Sequence, residues 1–191
     1  MNDFFSNFIL GIEHITDIEG YDHMLFLLTL CAPFFYKEWK QIFWLATAFT
    51  LGHSLTLALS AMEFVSVSSD LIEKLIPVTI MLTALGNIFQ NREQGSALKI
   101  WQYLITSLFG LIHGLGFSTY FKMMYDETSS RVLSLLAFNL GVEAGQLLIV
   151  ALIFALLFVV IRLFKLPLRK WTVAVSALSF VIATYLLIDK F

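Results

Sequence analysis

Residues 141–161 read Gly141-Val142-Glu143-Ala144-Gly145-Gln146-Leu147-Leu148-Ile149-Val150-Ala151-Leu152-Ile153-Phe154-Ala155-Leu156-Leu157-Phe158-Val159-Val160-Ile161. From Leu147 onward the stretch has no polar side chain. With the apolar residues back to Arg131 it exceeds the roughly 20 residues that a helix needs to cross a bilayer. The rest of the chain is of the same kind. Of its 191 residues 59% are hydrophobic, 14% are charged and 19 are Phe. Soluble domains sit nearer half apolar and a quarter charged, so lipid must be the solvent for much of this surface. Backbone polar groups in lipid are satisfied only in helices or closed barrels. No run alternates with period two, so helices are predicted.

Apolar runs divide the chain into six predicted transmembrane helices at about 21–36, 41–62, 71–90, 99–121, 131–161 and 170–188. They are expected to form one all-α bundle, a single polytopic membrane domain covering residues 1–191. The breaks between them are short and polar, as at Ser66-Val67-Ser68-Ser69-Asp70, Asn91–Ser96 and Tyr125–Ser130. Phe4, Phe5, Phe8, Ile9 and Ile12 fit one face of a helix too short to span, and predict a short N-terminal segment lying at the interface. No basic residue precedes that run, which argues against a cleaved signal peptide.

Basic residues set the orientation. With the N-terminus outside, inner loops carry Lys37, Lys40, Arg92, Lys99, Arg162, Lys165, Arg169 and Lys170, while the outer side carries Lys74, Lys122, Arg131 and Lys190. Trp39, Trp44, Trp101 and Trp171 then fall near the inner ends, as an aromatic belt requires. An integral protein of a bacterial inner (plasma) membrane with both termini outside is the expectation. Nothing in the charge pattern suits nucleic acid. The sole cysteine, Cys31, has no partner for an internal disulfide. The lipid bilayer is the one partner that composition dictates, and homo-oligomerisation is compatible with it.

The informative residues are the polar ones in this apolar setting. His14, the pair Asp22-His23, His53, His113 and Glu143 all fall, by this topology, in the outer half of the membrane or at its midplane. A charged side chain there costs about 2.5–3.5 kcal/mol on insertion scales and so marks function by default. Neutral imidazoles with carboxylates suit a divalent transition metal such as Zn²⁺, Ni²⁺, Co²⁺ or Cu²⁺, and there is no cysteine cluster for a thiolate site. Asp22 is placed either to ligate or to fix the His23 tautomer. Plainer roles exist for each: an N-cap for Asp22, a helix-bridging hydrogen bond for His53 or His113. Gly141 and Gly145 read as close helix packing.

At these positions the chain resembles the HupE/UreJ family of small membrane proteins. The matching blocks are His14 with Gly20-Tyr21-Asp22-His23-Met24-Leu25-Phe26, Phe49-Thr50-Leu51-Gly52-His53-Ser54-Leu55-Thr56, Gly110-Leu111-Ile112-His113-Gly114-Leu115-Gly116-Phe117 and Phe138-Asn139-Leu140-Gly141-Val142-Glu143-Ala144-Gly145-Gln146. The first departs from the family's H-P-x-x-G-x-D-H, since seven residues separate His14 from Asp22 and no Pro follows His14. The resemblance implies a divalent-metal permease of the nickel type, with His14, Asp22, His23, His53, His113 and Glu143 as its metal-handling residues. Two other functions fit the same residues. One is an intramembrane zinc-dependent hydrolase acting on a lipid or membrane peptide, with Glu143 or Asp22 as general base and Ser54 or Ser118 binding substrate. The other is a sensor or assembly subunit that binds ions without moving them. The inner half offers few polar groups, Asn87 and Gln90 chief among them, so no inner path is legible.

Overall fold

The computed structural model describes residues 2–18, 20–90, 99–124 and 131–191, with side chains for 4–18, 20–90, 99–117 and 132–191. The breaks predicted at 91–96 and 125–130, and the Ser118 side chain, lie outside these residues. Among the described residues every regular element is helical: α1 (Asn2–Thr16), α2 (Asp22–Cys31), α3 (Trp39–Ala61), α4 (Ser69–Phe89), α5 (Ile100–Met124), α6 (Arg131–Phe164) and α7 (Leu168–Ile188), with a single 3-10 turn at Tyr36–Glu38. Helices α3 to α7 match the last five predicted spans, and all five are long and apolar enough to cross a membrane. Their outer faces carry large apolar side chains, such as Leu108, Leu152 and Val181, each more than half exposed. In water such faces would be costly; in lipid they are solvated.

The predicted first span, 21–36, is corrected. Only Asp22–Cys31 is helical, about 15 Å at 1.5 Å per residue, half of the roughly 30 Å hydrocarbon core. Pro33 ends the ladder: it has no N–H to donate to the Thr29 carbonyl, which accepts from Asn87 instead. Among the described residues there are therefore five full-length spans rather than six continuous ones.

The N-terminal segment is corrected too. Helix α1 does not lie flat at an interface but packs lengthwise on α6. Asn7 bonds Ser134, Gly11 meets Phe138 and Val142, and Ile15 meets Gly145. These contacts advance together along both helices, so α1 and α6 run in the same direction. A methyl group at Gly11 would overlap the Phe138 carbonyl, and one at Gly141 the Phe8 carbonyl. Helices α3 and α5 meet in the same way, Gly110 against Phe49 and Gly114 against His53. In lipid no hydrophobic force joins helices, and such backbone-to-backbone packing supplies the attraction instead.

Helices α4 and α7 are antiparallel. At one end, Arg169 donates to the carbonyls of Asn87 (2.7 Å), Ile88 (2.5 Å) and Gln90 (3.3 Å), satisfying the last turn of α4. At the other, Lys190 donates to Glu73 at 2.9 Å, which holds its ammonium above the ordinary lysine pKa. The first of these is called the Trp39 end below. Helix α2 runs toward it, since its Thr29 carbonyl accepts from Asn87 at 2.7 Å and the Ala32 carbonyl accepts from Thr172 at 2.9 Å. Helices α1 and α2 are thus two short pieces, with a break between the end of α1 at Thr16 and the start of α2 at Asp22. That break brings His14 and His23 together.

Candidate metal centre

Four helices deliver the histidines to one place near the middle of the bundle. His14 ends α1, His23 begins α2, His53 lies past the midpoint of α3, and His113 is at the middle of α5. The ligand-capable atoms of His14, His23 and His53 all lie within 4.8 Å of one another. Ring centroids are 4.8 Å apart for His14–His23, 5.9 Å for His14–His53 and 5.0 Å for His23–His113. Metal–imidazole bonds of about 2.1 Å place ligand nitrogens roughly 3–3.5 Å apart, so a bound ion would draw the rings slightly closer.

The hydrogen bonds around the rings decide where their lone pairs point. Asn139 donates its amide to the Leu135 carbonyl at 2.8 Å, which fixes its side-chain oxygen as the acceptor facing His53 Nδ1 at 3.3 Å. His53 Nδ1 therefore carries the proton, and Nε2 keeps its lone pair. Thr79 donates its hydroxyl to the Ile76 carbonyl at 2.7 Å, so at 3.2 Å it can only accept from His113 Nε2. The lone pair of His113 is then on Nδ1. For His23, Nδ1 lies 2.9 Å from Asp22 Oδ1, an ion-pair distance without hydrogen-bond alignment, and the same oxygen accepts the His23 backbone N–H at 2.7 Å.

The nitrogens opposite those anchors are the unusual atoms. His14 Nε2, both ring nitrogens of His23, His53 Nε2 and His113 Nδ1 are buried and have no hydrogen-bond partner among the described residues. One such group costs about 1–3 kcal/mol, and native interiors hold few. Four such rings, two of them oriented from behind by Asn139 and Thr79 and a third set against the Asp22 carboxylate, have the arrangement of metal ligands with their supporting acceptors.

Glu143 stands apart from the cluster. Its Oε1 accepts from Thr47 at 2.7 Å, one turn beyond Asn139 toward the Trp39 end. Three polar bridges thus cross the α3–α6 seam: His53–Asn139, Thr50–Gln146 at 2.9 Å, and Thr47–Glu143. The structure brings His14, His23 and His53 together with His113 beside them and Asp22 behind His23; it leaves Glu143 below. Asn139, Thr79 and Thr47 are not singled out by the sequence alone. The signal that could find them is spacing: Asn139, Glu143 and Gln146 share one face of α6, as do Thr47, Thr50 and His53 on α3.

An open cavity of about 760 Å³ reaches the cluster at His14, between the Glu13 and Asp17 carboxylates and the Phe117 ring. That ring lies 3.9 Å from the His14 imidazole, centroid to centroid. Two acids at its rim suit a cation.

Fold and site together define a helical integral membrane protein with a buried polyimidazole centre. The family model of the HupE/UreJ protein matches residues 1–190, and the chain belongs to that family. No curated protein and no solved structure matches it.

Proposed function

We propose that the protein is a divalent transition-metal permease, with nickel as the leading substrate. The HupE/UreJ family is associated with nickel and cobalt transport. The observation that carries the reading is the convergence of His14, His23 and His53, whose ligand-capable atoms lie within 4.8 Å of one another, with the His113 ring beside them in the bundle interior. A hydrated ion enters past Glu13 and Asp17, exchanges water for His14, His23 and His53, and takes His113 as a further ligand. Neutral nitrogen donors leave the ion's charge uncompensated, and Glu143, one turn deeper in the α3–α6 seam, supplies a negative charge that offsets it. With the basic loops inside, the cavity at His14 faces outward and transport runs toward the Trp39 end. The geometry offers less to a hydrolase: Glu143 is bonded to Thr47 rather than set beside the imidazoles, and Asp22 is engaged with His23.

The test is radioactive nickel uptake into proteoliposomes by the wild type, His23→Ala and Glu143→Gln. Uptake by the wild type that both substitutions abolish is the expected outcome. Tight stoichiometric zinc or nickel without any uptake overturns the permease reading.

A further inference from the structure

Below the imidazoles, on the side away from Glu143, the structure holds a second cavity of about 390 Å³ between α2, α4 and α5. It extends to the Trp39 end, where Pro33 and Trp101 line it. Five of its sixteen lining residues carry polar side chains, Thr83, Asn87 and Gln90 from α4 and Gln102 and Thr106 from α5; most of the others are apolar, and Leu82 and Leu108 bound it on the lipid-facing side. Their spacing is orderly. Thr79, the partner of His113, is followed at four-residue steps by Thr83 and Asn87, one stripe along α4. On α5, Gln102, Thr106, Phe109 and His113 likewise share a face. Two polar lines therefore leave His113 and run down opposite walls of the same cavity.

The hydroxyls on those lines are oriented. Thr83 donates to the Thr79 carbonyl at 2.8 Å and Thr106 to the Gln102 carbonyl at 2.8 Å. Each oxygen thus keeps acceptor capacity, the polarity that a hydrated cation requires. Between cavity and cluster stand three rings. Phe26 and Phe109 line the cavity, and Phe26 lies 5.0 Å from Phe49 and 6.1 Å from Phe109. Phe26 and Phe49 touch the His113 ring, at 5.4 and 5.1 Å between centroids. All three are buried, a dry plug between the imidazoles and the cavity.

We propose that this cavity is the exit vestibule for the hydrated metal ion, and that Phe26, Phe49 and Phe109 form the gate that closes it. The proposal rests on the permease reading and adds a route to it: the ion leaves between α4 and α5. The α3–α6 seam is less suited as a water path, because its polar groups are bonded to one another. Hydrophobic constrictions gate by excluding water, and rotation of the Phe26 and Phe109 rings joins the two spaces.

The experiment uses cysteine reactivity in the full chain. In a Cys31→Ala background, Thr106→Cys and Gln102→Cys are exposed to an impermeant cationic thiol reagent from the Trp39 side, and nickel uptake is measured in the same vesicles. Leu104→Cys, on the exposed apolar face of α5, is the lipid-facing control. Both vestibule cysteines should react rapidly and Leu104→Cys should not, and modification should block uptake. Trimming the plug with Phe109→Ala, or with the milder Phe109→Leu should the first not fold, should speed release of bound nickel to that side. Wild-type uptake with unreactive vestibule cysteines overturns the exit route and leaves the permease standing. Reactive cysteines without uptake by the unlabelled protein overturn the permease reading and the route with it. Unchanged release from both Phe109 variants overturns the gate.

Discussion

Asn139 holds His53 by a relay of two hydrogen bonds: its amide nitrogen is tied to the Leu135 carbonyl at 2.8 Å, which turns its oxygen toward His53 Nδ1 at 3.3 Å. The orientation of a ring on α3 is therefore set by a side chain on α6. Asn139→Leu keeps the approximate volume and removes the acceptor, so His53 loses the bond that specifies its tautomer. Loss of such a supporting acceptor typically costs about 10–100-fold in metal affinity. Calorimetric nickel titration of the purified protein should show a loss of that size, with Asn139→Asp far less affected. Equal affinity for wild type and Asn139→Leu would mean that His53 does not ligate.

Thr79 plays the matching part for His113, and the two substitutions separate their roles. Thr79→Val removes the hydroxyl that accepts from His113 Nε2 at nearly constant shape. If His113 joins the other three imidazoles on the ion, affinity should fall by about tenfold or more. Nickel-edge absorption spectroscopy of the loaded protein should then count one imidazole fewer. An unchanged imidazole count and affinity would reduce His113 to a ring that merely faces the plug.

Much of this organisation is legible in the amino-acid sequence, and the exceptions have physical causes. Helices α3 to α7 declare themselves because lipid demands long uninterrupted apolar runs. Residues 21–36 mislead because composition alone does not register where Pro33 stops the helix. Topology assigns each histidine a depth, but depth says nothing of azimuth. Whether Glu143 meets the imidazoles or lies a turn below them depends on how α6 is rotated against α3, and that is set by Gly141 packing on α1. The position of His14 is still further from sequence. It follows from α1 folding along α6, a tertiary choice made by Gly11 and Gly141 in contact. The inner cavity is invisible in the sequence for the same reason: five polar residues on two helices become a wall only when those helices face each other.

The glycine contacts predict a sharp contrast in stability. A Cβ at Gly110 would overlap the Phe49 carbonyl, whereas one at Gly86 meets nothing within 4 Å. Gly110→Val should force α3 and α5 apart, at a cost of about 1–3 kcal/mol or more. Gly86→Ala should be neutral or stabilising by up to about 1 kcal/mol, from helix propensity. Thermal unfolding in detergent, followed by loss of the monodisperse peak, measures both. A Gly110→Val protein as stable as the wild type would refute the close approach of α3 to α5.

Thr47 and Glu143 provide the remaining test, because they separate binding from passage. The Thr47 hydroxyl donates to Glu143 Oε1 at 2.7 Å, and a hydrogen bond to a charged acceptor is worth about 1.5–3 kcal/mol. Thr47→Val removes that donor and leaves the carboxylate short of one partner inside the bundle, while the imidazole cluster above is untouched. Nickel affinity at equilibrium should therefore stay within about twofold of the wild type, since no ligand has been changed. Uptake should fall severalfold, because the carboxylate that offsets the ion's charge as it moves is no longer held one turn below His53 and Asn139. Thr47→Ser restores the donor and should restore uptake. Paired titration and proteoliposome flux on the three proteins give both numbers. If Thr47→Val weakens binding as much as His53→Ala does, Glu143 belongs to the first set of ligands, and the ion's resting place is lower in the bundle than the four imidazoles indicate.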